Sequence, residues 1–259
     1  MILIENLSFS YAPNLPPVLA GLSLEIRPHS WVTISGPDGS GKSTLGKLIK
    51  GLLRSDSGSI LFDPRLLRGH EDVGYLGGDP YDALVGVTVE DDVAFGLENL
   101  CLDPDLIGLR LEEALKRTGL DRYRSRLVDT LSGGEQQKVA LAGILALEMK
   151  VLILDECLTM LDRPVRKTIR SLLRSLQVNP GLTILQISND LEDIVAADRV
   201  LYLCGGTLEL DAPPLDFLSS GAGKVWSELS GGTAALRRGL LDRGISHGLV
   251  DQLLYEHDK

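Results

Sequence analysis

Aromatic residues are scarce in this chain, at 5% of 259 positions, and cysteine is scarcer still, with only Cys101, Cys157 and Cys204. An odd number with no C-x-x-C pair excludes a disulfide-stapled scaffold and predicts free, buried thiols in a reducing compartment. The histidines His29, His70, His247 and His257 are scattered without ligand spacing, so no structural metal is expected. At the N-terminus, MILIENLSFS has no basic segment ahead of an apolar core, so it is not read as a secretory signal. Long apolar runs are lacking too. The longest, VALAGILAL at 139–147, is far too short to span a bilayer. Basic residues number 26 against 36 acidic ones, for a net charge of -10, and no dense basic stripe suggests a duplex nucleic acid. The acidity reads as the solvated surface of a cytosolic protein.

What is present is an ample core, with 44% hydrophobic residues. Short β-branched runs alternate with helical patterns. Strands are predicted at 1–8, 18–27, 31–35, 58–62, 73–76, 151–155, 182–187 and 199–203. VLILD and TILQI are nearly continuous apolar runs, as in strands covered on both faces. Thr88 starts one helix, with acid in its first turn. Asp103 and Pro104 start another, which Gly119 can close. Asp162 lies just before a third, with Pro164 near its start. From 88 to 149 the chain is mostly helical, so a helical insert interrupts an α/β core. Residues 206–259 read as an appendage, and PPLDFLSSGAGK within it reads as a linker.

The segment TISGPDGSGKSTLGKLIKGLL carries the strongest signal. Gly36-x-x-x-x-Gly41-Lys42-Ser43 fits the P-loop pattern, which arises by chance in roughly one chain in a hundred of this length. An apolar strand leads in. A helix with Leu45, Leu48, Ile49 and Leu52 on its apolar face leads out. Glycines let consecutive N–H groups curl around a β-phosphate. Lys42 supplies charge to the β- and γ-phosphates, the Ser43 hydroxyl can ligate Mg²⁺, and the helix N-terminus adds its dipole. Gly36, Pro37, Asp38, Gly39, Ser40, Gly41, Lys42, Ser43 and Thr44 are the predicted nucleotide site. VLILDECLTMLD complements it. Asp155 can hold the Mg²⁺ shell through water, and Glu156 can take a proton from an attacking water.

With DTLSGGEQQKVALAGILAL, the chain resembles the ATPases of the ATP-binding cassette (ABC) family over about residues 1–218. The resemblance implies a P-loop NTPase core of α/β class, with an antiparallel β-subdomain, a helical insert and a short C-terminal appendage. It sets the core at 1–80 and 136–218, the helical subdomain at 81–135 with the signature at its end, and the appendage at 219–259. It implies that Ser132, Gly133, Gly134 and Glu135 touch the nucleotide of a second ATPase, that Tyr11 stacks on adenine, and that Asp162 contacts the opposite subunit. Alternatively, Tyr11 is a loop aromatic at a sheet edge. WVTISGPDGSGKSTLGKLIKGLL and TVEDDVAFGLENL are most similar to the energy-coupling factor branch, whose importers take up vitamins and cobalt or nickel ions. Partners implied are a second ATPase, paralogous or identical, a transmembrane coupling protein and a substrate-binding membrane subunit. The place implied is the cytoplasmic face of the membrane. Tyr81, Leu84 and Val85 either meet the coupling protein or pack the insert against the core.

Two family positions differ. Gly78 stands where a glutamine helps ligate Mg²⁺, and Asn189 stands where a switch histidine bonds the γ-phosphate. Asn189, with Glu156 and Lys42, is a candidate catalytic residue, with an amide donor but no cationic form. The expectation is a slow site in this chain that lends Ser132 and Gly134 to a faster site on a paralogue. A largely non-hydrolysing subunit, or the ATPase of another importer class, is the alternative. LSGG recurs at 229–232, where no comparable helix follows, and is read as chance. Trp226, with Leu229, Leu236, Leu240 and Leu241, packs either on its own core or on a second ATPase.

Overall fold

The computed structural model describes residues 1–79, 83–159, 161–178 and 181–229. The chain divides into two compact units, 1–66 with 185–259, and 67–184.

The first unit opens with an antiparallel sheet of order β2-β1-β4: β1 (Ile2–Phe9), β2 (Leu19–Ile26) and β4 (Ser57–Phe62). Ile4 pairs with Leu24 on one side and Ile60 on the other. A second set of strands surrounds β3 (Trp31–Ser35), all five of whose residues are buried. Buried on both faces, such a strand has no reason to alternate, which is why WVTIS reads as an apolar run. It is followed by α1 (Lys42–Lys50), which buries Leu45, Leu48 and Ile49. Leu52, expected on that face, lies beyond the helix and is 58% exposed, because Gly51 at φ +81° ends α1 in a left-handed cap. From Leu185 onward the chain adds the end of β7 (Thr183–Ile187), α6 (Leu191–Ala196), β8 (Arg199–Cys204) and β9 (Thr207–Ala212). Their order is β7-β3-β8-β9, with β3 and β8 parallel.

Strand β9 corrects the expected start of the appendage at 206. Residues 207–212 pair antiparallel with β8, and Cys204 faces Thr207 across a two-residue loop. That loop is Gly205-Gly206, at φ +55° and +79°, the left-handed pair that a tight hairpin needs. The expected linker is also helical: α7 (Pro214–Ser219) and α8 (Gly221–Leu229) follow at once. The Ser-Gly composition that suggested a linker is helix-capping chemistry, since the Ser220 hydroxyl accepts from the Gly223 N–H at 3.0 Å. Phe217, Leu218 and Trp226 are buried against Ile194, Val200 and Tyr202, so Trp226 packs on its own core. The second LSGG beyond Leu229, and Leu236, Leu240 and Leu241, lie outside the described residues.

In the second unit β5 (Val73–Leu76) and β6 (Val151–Asp155) pair in parallel, Tyr75 opposite Ile153. Helices α2 (Val89–Asn99), α3 (Pro104–Thr118) and α4 (Gly133–Ala146) share one core, with Val93, Leu97, Leu111, Leu115, Val139 and Ala142 in it. Leu84 packs on that core, Val85 is exposed, and Tyr81 lies outside the described residues. Helix α5 (Arg163–Val178) buries Ile169, Leu173 and Leu176. The helix starts follow the expected chemistry: Thr88 and Asp91 form a capping box, and Asp103 caps α3 with Pro104 at its first position. The Asp103 carboxylate accepts from the Asp105 N–H at 3.0 Å. Asp103→Ala is therefore expected to cost about 0.5–2 kcal/mol, with Asp103→Asn nearly neutral. Urea unfolding midpoints of the two variants test this, and equal midpoints would remove the cap's contribution.

Candidate functional site

In the first unit, β3 delivers the chain into a glycine-rich turn. Gly36, Gly39 and Gly41 have φ of +148°, +78° and +99°. The first and last are required for space as well. A Cβ on Gly36 would lie 2.0 Å from the Leu203 carbonyl oxygen, and one on Gly41 would lie 2.6 Å from Leu19 Cδ2. The turn closes with Ser40 N–H donating to the Pro37 carbonyl at 3.2 Å. Helix α1 then begins with no side chain capping its N-terminus and no acid in its first turn. The helix dipole favours an anion at that end.

Lys42 is 5% exposed and folds back into the loop. Its ammonium donates to the Gly36 carbonyl at 2.8 Å and the Pro37 carbonyl at 2.9 Å, with the exposed Asp38 carboxylate at 3.9 Å. The Ser40 hydroxyl is buried with no hydrogen-bond partner among the described residues. A cradle closed to side chains, a cation within it and an orphaned hydroxyl fit a phosphate group. Tyr11 is exposed, stands edge-on to Phe9 at 5.0 Å, and its hydroxyl lies 3.1 Å from Thr44 Oγ1. Asn189, just past β7, meets the start of the same loop. Its Oδ1 accepts from Ser35 Oγ at 2.7 Å and from the Gly36 N–H at 3.2 Å. Its Nδ2 donates to the Gly36 carbonyl at 3.1 Å.

In the second unit, the buried strand β6 ends in Asp155, and the Tyr75 hydroxyl donates to Asp155 Oδ2 at 2.5 Å. Glu156 follows, exposed and at φ +54°, a left-handed conformation uncommon for a side-chain-bearing residue. Its carbonyl is held by the Thr159 hydroxyl at 2.7 Å and the Thr159 N–H at 3.2 Å. A Cβ on Gly78 would lie 3.4 Å from the Asp155 carbonyl and 3.8 Å from Glu156 Cβ, so a side chain there would rest against the acidic pair. Cys157 is a fully buried thiol. Asp162 is exposed, and its carbonyl accepts from the Arg166 N–H at 2.9 Å.

Ser132 is the N-cap of α4, with Gly133 and Gly134 in the first turn. The Glu135 carboxylate accepts from the Ser132 N–H at 2.9 Å and the Ser132 hydroxyl at 2.8 Å. Those two bonds, the backbone one foremost, hold the Glu135 carboxyl below the usual carboxylate range. No group of three or more His, Cys, Asp or Glu side chains able to hold a metal occurs among the described residues. No described helix is long and apolar enough to cross a membrane.

Tyr75 and Ser35 were not singled out from the sequence. The only available signals were polar residues in otherwise apolar strands, Tyr75 in VGYL and Ser35 in WVTIS.

A glycine cradle ahead of a helix N-terminus, with a lysine inside it, defines a P-loop nucleotide-binding protein. The ABC transporter family profile matches residues 19–159. The chain is 37% identical to the energy-coupling factor transporter ATP-binding protein EcfA1 of Levilactobacillus brevis over 253 residues, 95% of this chain and 91% of that protein. Among solved structures it matches cbiO1 of Clostridium perfringens, described as part of the ABC transporter complex cbiONQ. The TM-score is 0.76 at 31% identity, covering 93% of this chain and 98% of that one. It also matches the dimeric bacterial ABC transporter cassette MJ0796, with a TM-score of 0.73 at 25% identity over 83% of this chain and 99% of that one. The chain therefore belongs to the ABC transporter family, whose nucleotide-binding subunits bind and hydrolyse ATP. The fold class and the family read from the motifs are borne out.

Proposed function

We propose that the chain is the ATP-hydrolysing subunit of an energy-coupling factor type importer, driving micronutrient uptake from the cytoplasmic face of the membrane. The observation that carries the nucleotide reading is the phosphate loop, with Lys42 buried among backbone carbonyls and Ser40 Oγ left without a partner. The near full-length likeness to energy-coupling factor ATPases supports the importer class and its partners. These would be a second ATPase, a transmembrane coupling protein and a substrate-binding membrane subunit.

In this reading Gly36 to Thr44 wrap the phosphates, and Lys42 exchanges its carbonyls for β- and γ-phosphate oxygens. Tyr11 offers its ring to adenine. The Ser43 hydroxyl and the Asp155 carboxylate, the latter through water, are hard oxygen donors suited to Mg²⁺, which when bound neutralises phosphate charge. Glu156 takes the proton of the attacking water. Ser132, Gly133, Gly134 and Glu135 serve the nucleotide of the second ATPase, and Asp162 meets that subunit.

The chain's own site is proposed to be slow, in a pair with a faster paralogue. Gly78 carries no side chain beside Asp155 and Glu156, which also favours the second reading, a largely non-hydrolysing ATP-binding subunit. The native mass of purified Glu156→Gln protein, with and without Mg-ATP, tests the arrangement. An ATP-bound monomer is the expected result and supports a paralogous partner. An ATP-dependent homodimer would overturn the asymmetric pair in favour of a symmetric motor. Absence of ATP binding would overturn the function itself.

A further inference from the structure

The three polar residues that end β7 are all engaged. The Ser188 hydroxyl donates to Asp193 Oδ2 at 2.6 Å and accepts from the Asp190 N–H at 3.0 Å. Asp190 caps α6, accepting from the Glu192 N–H at 2.6 Å. These bonds fix the turn. Asn189, between them, points its carboxamide away from that network and onto the phosphate loop.

We propose that Asn189 is a positioning residue of the phosphate loop, acting through Gly36 rather than on the γ-phosphate. This rests on the reading of that loop as a nucleotide site. The carboxamide grips both polar groups of one residue: Oδ1 takes the Gly36 N–H, and Nδ2 gives to the Gly36 carbonyl. Ser35 Oγ holds Oδ1 from the strand side. The amide orientation follows from the partners, since the flipped amide would set Nδ2 against the Gly36 N–H.

Gly36 needs an external brace. Its Cβ position is filled by the Leu203 carbonyl, so no side chain of its own can anchor it. Its carbonyl accepts from Lys42 Nζ and from Asn189 Nδ2 together. When Lys42 leaves for a phosphate, Asn189 remains, and the carbonyl is not orphaned. A buried acceptor without a partner is unfavourable, so the amide lowers the cost of the lysine's exchange. Histidine cannot reproduce this. Each imidazole nitrogen either donates or accepts, and the two face different directions, so one ring cannot serve both groups of a single residue.

The roles separate on ADP, which lacks the γ-phosphate. Dissociation constants for ADP and ATP are measured by titration calorimetry on wild-type, Asn189→Ala, Asn189→His and Ser35→Ala protein. Both Asn189 variants are expected to weaken ADP and ATP alike, by about tenfold. Ser35→Ala, which removes one bond of the three, is expected to weaken both by about two- to threefold. Weakened ATP with unchanged ADP would overturn the proposal in favour of direct γ-phosphate contact. Unchanged affinity for both, even with a lowered melting temperature, would overturn it in favour of a packing role. Should Asn189→Ala not fold, the same ADP and ATP comparison on Ser35→Ala decides. A wild-type chain that binds neither nucleotide would sink the nucleotide reading itself and the proposal with it, whereas effects confined to the variants judge the proposal alone.

Discussion

Glutamine in place of Glu156 is expected to lower ATP turnover by about 10²–10⁴-fold while ATP still binds. The expectation follows from how the residue is presented. Glu156 directly follows a buried strand, in a left-handed conformation that turns it out to solvent. Thr159 pins its carbonyl twice, so the backbone is held while the carboxylate is left exposed. A non-glycine residue in this region costs of order 1–3 kcal/mol, and the two Thr159 bonds help to hold it there. Glutamine keeps the shape and removes the base. Phosphate release from this chain's site at saturating Mg-ATP, measured in the assembled pair with the second ATPase, beside ATP titration of the same protein, checks both halves. Unchanged turnover would exclude Glu156 as the base. Binding lost in step with turnover would mean that the substitution disrupted the fold of the site. Wild-type turnover at background would favour the non-hydrolysing reading, in which Gly78 has removed too much from the acidic pair.

The parts of this molecule that were legible in the sequence are those whose physics is local. Strands β3 and β6 were read residue for residue because burial on both faces makes them continuous apolar runs. Helices α2 and α3 were read from their caps, Thr88 and Asp103, which work within three residues of themselves. The phosphate loop and the acidic pair are contiguous motifs and were read for the same reason. Strand β9 was missed because TLELDA alternates between exposed and half-buried residues and has no apolar run, although Gly205-Gly206 marked the hairpin that makes it. Helices α7 and α8 were hidden by Pro, Ser and Gly, which there start helices instead of linking domains. Contacts between distant residues left no signal at all. Asn189 reaches Gly36 across 153 positions, and Tyr75 reaches Asp155 across 80. Only folding brings these partners together, so the sequence could name Asn189 as unusual but not show what it grips.

Alanine in place of Lys42 is expected to weaken ATP binding by about 10–150-fold, the equivalent of losing a hydrogen bond to a charged group at about 1.5–3 kcal/mol. The ammonium is buried at the first position of α1, between two backbone carbonyls at 2.8 and 2.9 Å. Without a phosphate, the loop itself solvates the charge. A phosphate oxygen is a charged acceptor and competes well against neutral carbonyls, so the exchange favours the nucleotide. Alanine removes that exchange but leaves the Gly36 carbonyl bonded to Asn189, so the loop is expected to keep its fold. Arginine is not expected to restore binding. A planar guanidinium does not fit where a compact ammonium is 5% exposed, and charge alone is then insufficient. Titration of ATP into wild-type, Lys42→Ala and Lys42→Arg protein measures all three. Affinity of Lys42→Ala within twofold of wild type would detach Lys42 from the phosphates and leave the glycine cradle without its cation.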